Sequence, residues 1–335
     1  MNSSNNSLLT QKTFTVFNST STHGTLVQIC HDLIEQQKLH WLQLAEGYTA
    51  LESVRLREIV CRNYSVSLQF NPKRIRSTGA NLDPKAIEKR RCFLCLEHLP
   101  EPQKGILYCD EFLLLCNPVP IFSRHLTFSS IHHIPQEVES SFHVLLDLTK
   151  DLSPDFTVFY NGPKSGASAP DHFHFQVSPR RAIPIECDAV DMRRRKRLYY
   201  KNHVAGCVLM NYGRTAFVVE STDKVRLLDF LKNMLGTWKK VLGSTEEPKM
   251  NILCSYQEEF WRLIILPRRK HRPDIYFLED DDRVLISPAA VDIGGLVVTP
   301  LEKDFLRADA KLIESIFAEV TEPPEIIEKL LEKLQ

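Results

Sequence analysis

The sequence predicts an α+β fold, in which antiparallel strands flank an inserted helix. Residues 105–118 contain two apolar runs separated by a polar turn, which is typical of a hairpin. Residues 136–152 carry apolar side chains at helical spacing. Residues 172–178 then alternate polar and apolar side chains, as a half-buried strand does. Strands on both sides of a helix, joined by short connections, indicate an α+β plan.

The remaining elements follow from the same periodicities. Helices are predicted within 25–60 and at 224–241 and 325–334. Strands are predicted at 65–70, 106–108, 112–116, 126–129, 156–161, 218–220, 251–255, 261–266 and 296–299. The basic run 193–197 is interpreted as a solvated helix end, with a local anion-binding patch as the alternative.

Composition bounds the class of protein. The chain has 335 residues with 42 basic and 42 acidic side chains, so its formal charge is zero. This balance gives no whole-protein argument for nucleic-acid or membrane binding. No stretch approaches the ~20 apolar residues of a membrane span, and nine scattered cysteines favour reduced thiols. We therefore expect a cytoplasmic protein, monomeric or homodimeric, with no nucleic-acid or membrane partner.

The most informative segment is 160–176, a strand followed by a loop of small residues and a second strand. Successive strand side chains point to opposite faces, so His172, His174 and Gln176 share one face. The phenylalanines between them face the other way, toward a core. Two imidazoles and an amide beside a glycine-containing loop predict a site that holds a phosphate group.

The chemistry predicted for this segment is phosphoryl transfer. A neutral imidazole is a competent nucleophile toward phosphorus, which gives His174 the catalytic role, with Gln176 donating to a phosphate oxygen. The loop supplies backbone N–H groups without bulky side chains. Its predicted substrate-binding residues are Asn161, Gly162, Lys164, Ser165, Gly166 and Ser168.

Basic residues elsewhere are further candidates for phosphate contacts. Arg74 could reach the phosphates of a nucleotide, or belong to an exposed basic loop. Arg268 and His271 lie in a basic segment after a predicted strand, where an acceptor phosphate or only solvent could lie.

Cysteine spacing points to a metal. Cys92 and Cys95 form a C-x-x-C pair, which by itself is compatible with buried thiols, a redox pair or half of a zinc site. With histidines further along, zinc is the favoured interpretation, because thiolates and imidazoles suit that ion. His172 and either His133 or His132 would complete four ligands. A closed four-ligand site indicates a structural Zn²⁺ that fixes His172 and thereby aims His174.

A short internal similarity suggests duplication. Residues 177–181 (VSPRR) resemble residues 265–269 (ILPRR), and both follow predicted strands. If the two segments are equivalent, Arg262 occupies the position of His174. The second copy would then have kept its sheet and lost its histidines.

The residues above resemble the histidine-triad superfamily, and within it the transferase and phosphorylase branch. That branch includes galactose-1-phosphate uridylyltransferase, diadenosine tetraphosphate phosphorylase and GDP-hexose phosphorylases. Its H-x-H-x-Q motif matches 172–176, and its small-residue loop matches 165–168. The superfamily strand G-H-x-L-V-x-P-x-x-H matches the spacing of His125 and His133, which favours His133 over His132.

The resemblance implies a fold and an activity. It implies a HIT-like antiparallel sheet with helices in two tandem units, a catalytic unit 1–185 and a degenerate unit 186–335. It implies His174 as nucleophile, zinc on Cys92, Cys95, His133 and His172, and Asn117 beside the nucleoside. The expected substrates are a nucleotide sugar or dinucleotide, with phosphate or a sugar phosphate as acceptor. Gln176 favours transfer over hydrolysis, because hydrolytic members carry a third histidine there; dinucleotide hydrolysis and non-catalytic nucleotide binding are the alternatives.

Overall fold

The computed structural model of the protein describes residues 3–19, 25–81 and 83–334. The strands are β1 Thr13–Phe17, β2 Arg55–Val60, β3 Ser65–Phe70, β4 Gly105–Tyr108, β5 Phe112–Cys116, β6 Leu126–Ser130, β7 Phe156–Asn161, β8 His174–Pro179, β9 Arg195–Lys201, β10 Val204–Leu209, β11 Phe217–Ser221, β12 Met250–Gln257, β13 Phe260–Pro267 and β14 Leu296–Thr299. The α-helices are α1 Ser3–Lys12, α2 Thr25–His40, α3 Leu42–Glu52, α4 Ile75–Thr78, α5 Pro84–Lys89, α6 Phe142–Asp151, α7 Ile185–Asp188, α8 Lys224–Leu242, α9 Ala290–Ile293, α10 Glu302–Arg307, α11 Ala310–Val320 and α12 Glu325–Glu332. Short 3-10 helices occur at Pro72–Arg74, Leu96–His98, Glu139–Ser141, Met192–Arg194, Asp274–Phe277 and Asp280–Asp282.

Eleven strands form one sheet in the order β1-β4-β5-β6-β8-β7-β12-β13-β11-β10-β9. Its neighbouring strands are antiparallel except β1 and β4, which run parallel. The sheet is therefore mixed, because an N-terminal strand that the sequence analysis did not predict joins its edge. The α+β prediction is confirmed.

The strand order is the same in the two halves of this sheet. Apart from the edge strand β1, the first half reads β4-β5-β6-β8-β7 toward the centre of the sheet, and the second half reads β9-β10-β11-β13-β12. In each half one helix follows the third of these strands and leads to the central one, α6 from β6 to β7 and α8 from β11 to β12. The halves meet where β7 pairs with β12. This is the order that a duplication requires, and the division into units 1–185 and 186–335 stays a prediction.

Two stretches differ from the sequence-based expectations. Residues 55–60 were predicted within a helical region, but they form β2, because they pair along their whole length with β3. The basic run 193–197 was predicted to end a helix, but its last three residues begin β9. Pairing with β10 holds this segment extended, and the buried side chain of Arg195 pairs with Glu220 on β11.

Two hydrophobic cores cover the two faces of the large sheet. Phe173, Phe175 and Val177 are all 1% exposed or less and lie in one core, with apolar residues of α2, α6 and α8. The other core includes residues of β3, β14 and α11. There β3 pairs in parallel with β14, so that residues far apart in the chain share a small three-stranded sheet over that face. Within the described residues, no helix combines the length and hydrophobicity that a membrane crossing needs.

Candidate active site and metal centre

The side chain of Gln136 fastens the start of β8 to the end of β7. Its Oε1 accepts the backbone N–H of His174 at 2.7 Å. Its Nε2 donates to the carbonyl oxygens of His174 and Asn161, each at 2.9 Å. Gln136 is fully buried. One amide thus fixes the two backbone positions from which the small-residue loop leaves and returns.

The ring of His174 is held in one tautomer. Its Nδ1 lies 2.9 Å from the carbonyl oxygen of His172, which can only accept, so Nδ1 carries the proton. Nε2 therefore keeps its lone pair. Burial is the main reason that the pKa of His174 is lowered to about 4, so the ring is neutral at physiological pH. The residue is 3% exposed.

His125 orients the side-chain amide of Gln176. The Nδ1 of His125 accepts the backbone N–H of Ile121 at 3.2 Å, which leaves the proton on Nε2. That Nε2 lies 2.8 Å from Oε1 of Gln176 and donates to it. The amide oxygen of Gln176 is therefore engaged, and its two N–H groups are the part available to a ligand.

The loop between β7 and β8 is tightly curled. The carbonyl of Gly162 accepts the N–H of Ser165 at 2.9 Å and that of Ala167 at 3.4 Å. Gly166 has φ of +98°, and a Cβ there would lie 2.5 Å from Cβ of Ala289 in the second half of the chain. The buried hydroxyl of Ser165 has no hydrogen-bond partner among the described residues.

A cavity opens between this loop and the second half of the chain. The loop side contributes Gly166, Ala167 and Ser168, and the sheet contributes Asn161 and Gln176. The full lining is completed by Arg74, Ser77, Thr78, Ala80, Ile121, Phe159, His271, Arg272, Ser287, Ala289, Val291, Asp292 and Val298. His174 lies on the same strand face as Gln176, two residues away, but does not line the cavity.

Several titratable groups around the cavity are shifted by burial. Burial raises the pKa of Asp292 to about 6, although the carboxylate accepts two backbone N–H groups and lies near Arg74. Burial, with Arg272 and Arg268 nearby, lowers the pKa of His271 to about 3. The guanidinium of Arg74 donates from Nη1 to the carbonyl of Val119 at 2.9 Å. Two arginines that line the cavity, Arg74 and Arg272, therefore lie close to any anion that enters it.

A separate cluster of four side chains has the donor set of a metal site. The potential ligand atoms of Cys92, Cys95, His133 and His172 all lie within 4.8 Å of one another. Sγ of Cys92 is 3.3 Å from Nδ1 of His172, and Sγ of Cys95 is 3.2 Å from Nδ1 of His133. Tetrahedral zinc with ordinary bond lengths separates sulfur from nitrogen by about 3.6 Å. The cluster could hold a metal ion, and His133 rather than His132 belongs to it.

Neighbouring groups orient the histidines of this cluster. Nε2 of His172 lies 2.8 Å from the carbonyl oxygen of Ser130 and donates to it, which leaves Nδ1 available as a ligand. Nε2 of His133 is 3.8 Å from a carboxylate oxygen of Asp171, which also pairs with Arg90 at 2.6 Å. His172 donates from one ring nitrogen and faces the thiols with the other, so its backbone is held in place. The carbonyl that accepts the hydrogen bond from Nδ1 of His174 is held with it.

Comparison with known proteins defines the fold. A family model described as "Domain of unknown function (DUF4922)" matches residues 33–179, a range that holds the cysteine pair and the H-x-H-x-Q motif. No curated protein matches the sequence. Yeast Ap4A phosphorylase Apa2 in complex with AMP superposes with a TM-score of 0.56 at 16% identity, covering 88% of this chain and 96% of that chain. The protein has a HIT-like fold. The same yeast enzyme in complex with Ap4A gives a TM-score of 0.51 at 13% identity, covering 84% and 97%.

Five predicted substrate contacts do not line the cavity, namely Asn117, Gly162, Lys164, Ser165 and Arg268, and the side chains of three of them pair elsewhere in the protein. Lys164 is exposed and pairs with Glu246 at 2.7 Å. Asn117 uses its side-chain oxygen to accept the N–H of Val119 at 3.0 Å, which caps a turn. All five N–H groups of buried Arg268 point to protein acceptors, on Asn251, Pro288, Val320, Lys270 and His271. Arg268 therefore stabilises the second half of the chain, and none of its N–H groups is left for the phosphate contact expected of it.

Other residues of the HIT-like site were missed by the sequence analysis as functional groups. Gln136 was treated as the start of a helix, since nothing in its local pattern marks a side chain that bridges two strands. Asp292 was not singled out as an ionisable group. Arg272 lies in the same basic segment as Arg268 and His271, and the sequence analysis named those two residues instead. Each reaches the site through a tertiary contact, which one-dimensional spacing does not encode.

Proposed function

We propose that the protein is a nucleotidyltransferase of the phosphorylase type that acts through a nucleotidyl-histidine intermediate on His174. The observation that carries the proposal is the hydrogen bond from Nδ1 of His174 to the carbonyl of His172, because it leaves a neutral Nε2 lone pair. The ring lies on the face of β8 that also carries Gln176, and Gln176 lines the cavity beside the small-residue loop.

In the first step, Nε2 attacks the α-phosphorus of a nucleoside diphosphate sugar or a dinucleoside polyphosphate. The new N–P bond forms as the P–O bond to the leaving phosphate breaks, and that oxygen keeps the electron pair. The ring becomes positively charged and its Nδ1–H stays bonded to the His172 carbonyl. Because the ring is 3% exposed, the loop has to shift for the donor to reach Nε2.

In the second step, an oxygen of inorganic phosphate or a sugar phosphate attacks the same phosphorus. The P–O bond forms, the N–P bond breaks, and the imidazole returns to its neutral form. Splitting one displacement into two easier ones is the advantage of a covalent route. Gln176 supports transfer over hydrolysis, since an amide whose oxygen is engaged by His125 cannot accept a proton from water.

Charge that develops on the phosphate oxygens needs donors aimed at it. The proposal assigns this role to the amide N–H groups of Gln176, to the backbone N–H groups of Gly166 and Ser168, and to Arg74. The unpartnered hydroxyl of Ser165 is a further donor once the loop shifts. Gln176 and Arg74 are already held by hydrogen bonds to the protein, whereas the loop donors take their positions when the loop shifts.

The four-residue cluster is proposed as a structural zinc site. Cys92, Cys95, His133 and His172 would hold the ion, and these four side chains would occupy all of its tetrahedral positions and leave none for substrate. When bound, Zn²⁺ would cross-link the loop after α5 to the start of β8. His172 then holds its carbonyl against Nδ1 of His174, which links the metal to the orientation of the nucleophile.

The remaining expectations belong to the same proposal. The substrates are a nucleotide or nucleotide sugar and a phosphate or sugar phosphate, and the protein works in the cytoplasm as a monomer or homodimer. The neutral formal charge supports the exclusion of nucleic-acid partners.

The direct test traps the intermediate. The protein is mixed with α-³²P-labelled GDP-, UDP- and ADP-hexoses and with labelled Ap4A, and the denatured chain is examined for label. We expect an acid-labile, alkali-stable adduct that is lost in His174→Ala. His143→Ala, on an exposed histidine of α6, is the matched control and keeps the adduct. Phosphate should discharge the label as a nucleoside diphosphate. Absence of an adduct with every donor would overturn the proposal.

A further inference from the structure

A second cavity lies on the same face of the large sheet, at the equivalent place in the other half. Aligning Pro179 at the end of β8 with Pro267 at the end of β13 places Ile264 at the position of Gln176. The strand registers pair Phe156 with Pro179 and Met250 with Pro267. Equivalence therefore extends along the neighbouring strands, so that Leu253 matches Phe159, and Ser255 matches Asn161.

The lining of the second cavity contains these equivalent positions. Leu253, Ser255 and Ile264 line it, as Phe159, Asn161 and Gln176 line the first. Arg262, at the position of His174, lines it as well. The remaining lining residues are Thr157, Arg180, Arg181, Glu186 and Val190. The two cavities are thus related by the repeated strand order, but Arg262 lines the second, whereas its equivalent His174 does not line the first.

Positive charge exceeds negative charge around this cavity. Neither Arg180 nor Arg181 makes a side-chain hydrogen bond or an ion pair with a described residue. Burial of Arg180 lowers its pKa, and the nearby positive charges of Arg181 and Arg262 lower it further by repulsion, while Glu186 and Glu258 oppose them. An anion between these arginines would remove that repulsion.

The carboxylate that lines the cavity, Glu186, and the one that pairs with Arg262, Glu220, are already engaged. Buried Glu186 accepts the hydroxyl of Thr157 at 2.5 Å and the backbone N–H groups of Arg181 and Ile183. Glu220 accepts both Nη groups of Arg195, each at 2.8 Å, and Nε of Arg262 at 2.5 Å. Exposed Glu258 lies further out and favours the charge of Arg180. Three arginines thus line the cavity together with one carboxylate, that of Glu186.

We propose that this cavity is a second, non-catalytic binding site for a small phosphate-bearing anion, held by Arg180, Arg181 and Arg262. Planar guanidinium groups match phosphate oxygens in pairs, and partial burial strengthens such contacts. The site lacks the histidine and the amide of the first half, because Arg262 takes the position of His174 and Ile264, which has no polar side-chain atom, takes that of Gln176. The ligand therefore binds and leaves unchanged.

The test measures binding of inorganic phosphate by calorimetry, with AMP and a hexose 1-phosphate in parallel. Arg180→Gln and Arg181→Gln should each weaken binding at this site about tenfold or more, as expected for a lost charge-assisted contact. Both side chains lack hydrogen bonds to the protein, so the variants should fold normally. Arg226→Gln, on the exposed side of α8, is the matched control and should bind as the parent does.

A further variant separates this site from the first cavity. Arg74→Gln alters only the first cavity, so anion binding that persists in Arg74→Gln and is lost in Arg180→Gln belongs to the second. Equal affinity of the parent and Arg180→Gln for all three anions would overturn the proposal, and so would absence of binding by the parent. The measurement requires no turnover, so its result is independent of the proposed transfer reaction.

Discussion

Replacing Gln136 with leucine tests whether one buried amide positions the backbone of His174. The change keeps a side chain of similar volume and removes every polar atom that contacts β7 and β8. The backbone N–H of His174 loses its acceptor, and the carbonyls of His174 and Asn161 each lose a donor. We expect lower stability and a less well-defined start of β8.

The magnitude follows from the three lost contacts. A net contribution of about 0.5–1.5 kcal/mol for each hydrogen bond gives about 1.5–4.5 kcal/mol of lost unfolding free energy. Because Gln136 is fully buried, no water replaces the lost acceptor and the N–H of His174 stays without a partner. The expected loss of unfolding free energy therefore lies in the upper half of that range.

The assay is urea unfolding followed by circular dichroism, with free energies from linear extrapolation. Gln28→Leu is the matched control, because Gln28 is exposed and contacts only Asp32 on its own helix. The control should stay within about 0.5 kcal/mol of the parent. A Gln136→Leu free energy within the same margin would refute the positioning role.

A second variant separates hydrogen bonding from packing. Gln136→Glu keeps an acceptor for the His174 N–H but turns a carboxylate oxygen toward two carbonyls. The variant should be destabilised at pH 7. Burial and the facing carbonyls raise the pKa of the new carboxyl in the folded state. Its stability should therefore recover as the pH falls toward 5, where a protonated oxygen can donate again. A pH-independent loss would show that volume, not donation, is what Gln136 provides.

Three further predictions address the metal, the loop and a buried acid. Purified protein should contain about one zinc per chain by mass spectrometry. Cys92→Ser should lose the metal and melt at lower temperature, whereas His132→Asn should keep the metal and the parent's melting temperature. A metal-free parent with an unchanged melting temperature would contradict the assignment. Gly166→Ala should lower the melting temperature because its Cβ would overlap the second half of the chain at a positive φ, whereas Gly236→Ala, with open space in a helix, should be neutral or stabilising by up to about 1 kcal/mol. Burial raises the pKa of Asp292 from 3.8 to about 6, so the folded state binds that proton more tightly and stability should fall by up to about 3 kcal/mol as pH rises from 4 to 6. In Asp292→Asn the unfolding free energy should no longer fall by this amount between pH 4 and 6. The same pH dependence in the variant and the parent would contradict the role of Asp292.

The sequence predicted the elements of the large sheet where local periodicity was strong. Strands β4 to β8 and helix α8 lie within two residues of their predicted bounds, because each combines a clear apolar pattern with turn residues at its ends. It did not predict β9 and β10. The edge strand β9 is rich in charged residues and its neighbour β10 contains small ones, so their extended conformation comes from pairing with neighbours rather than from composition.

The metal cluster shows how much spacing can determine. The C-x-x-C spacing places two candidate metal ligands, Cys92 and Cys95, close together in the chain. The family resemblance supplied the spacing that favoured His133 as a third. Only folding brings these side chains within 4.8 Å of one another, since 80 residues separate Cys92 from His172.

By itself, the sequence determined which side chains of 172–176 share a face, because the two-residue period of a strand is a property of the backbone alone. It also determined that a loop of small residues precedes them. The tertiary structure decided what those side chains touch: His174 against a carbonyl, Gln176 against His125, and Arg268 against five protein acceptors instead of a phosphate. Hydrogen-bond partners lie tens of residues away in the chain, and a pattern read along one strand carries no information about which distant group the fold places opposite it.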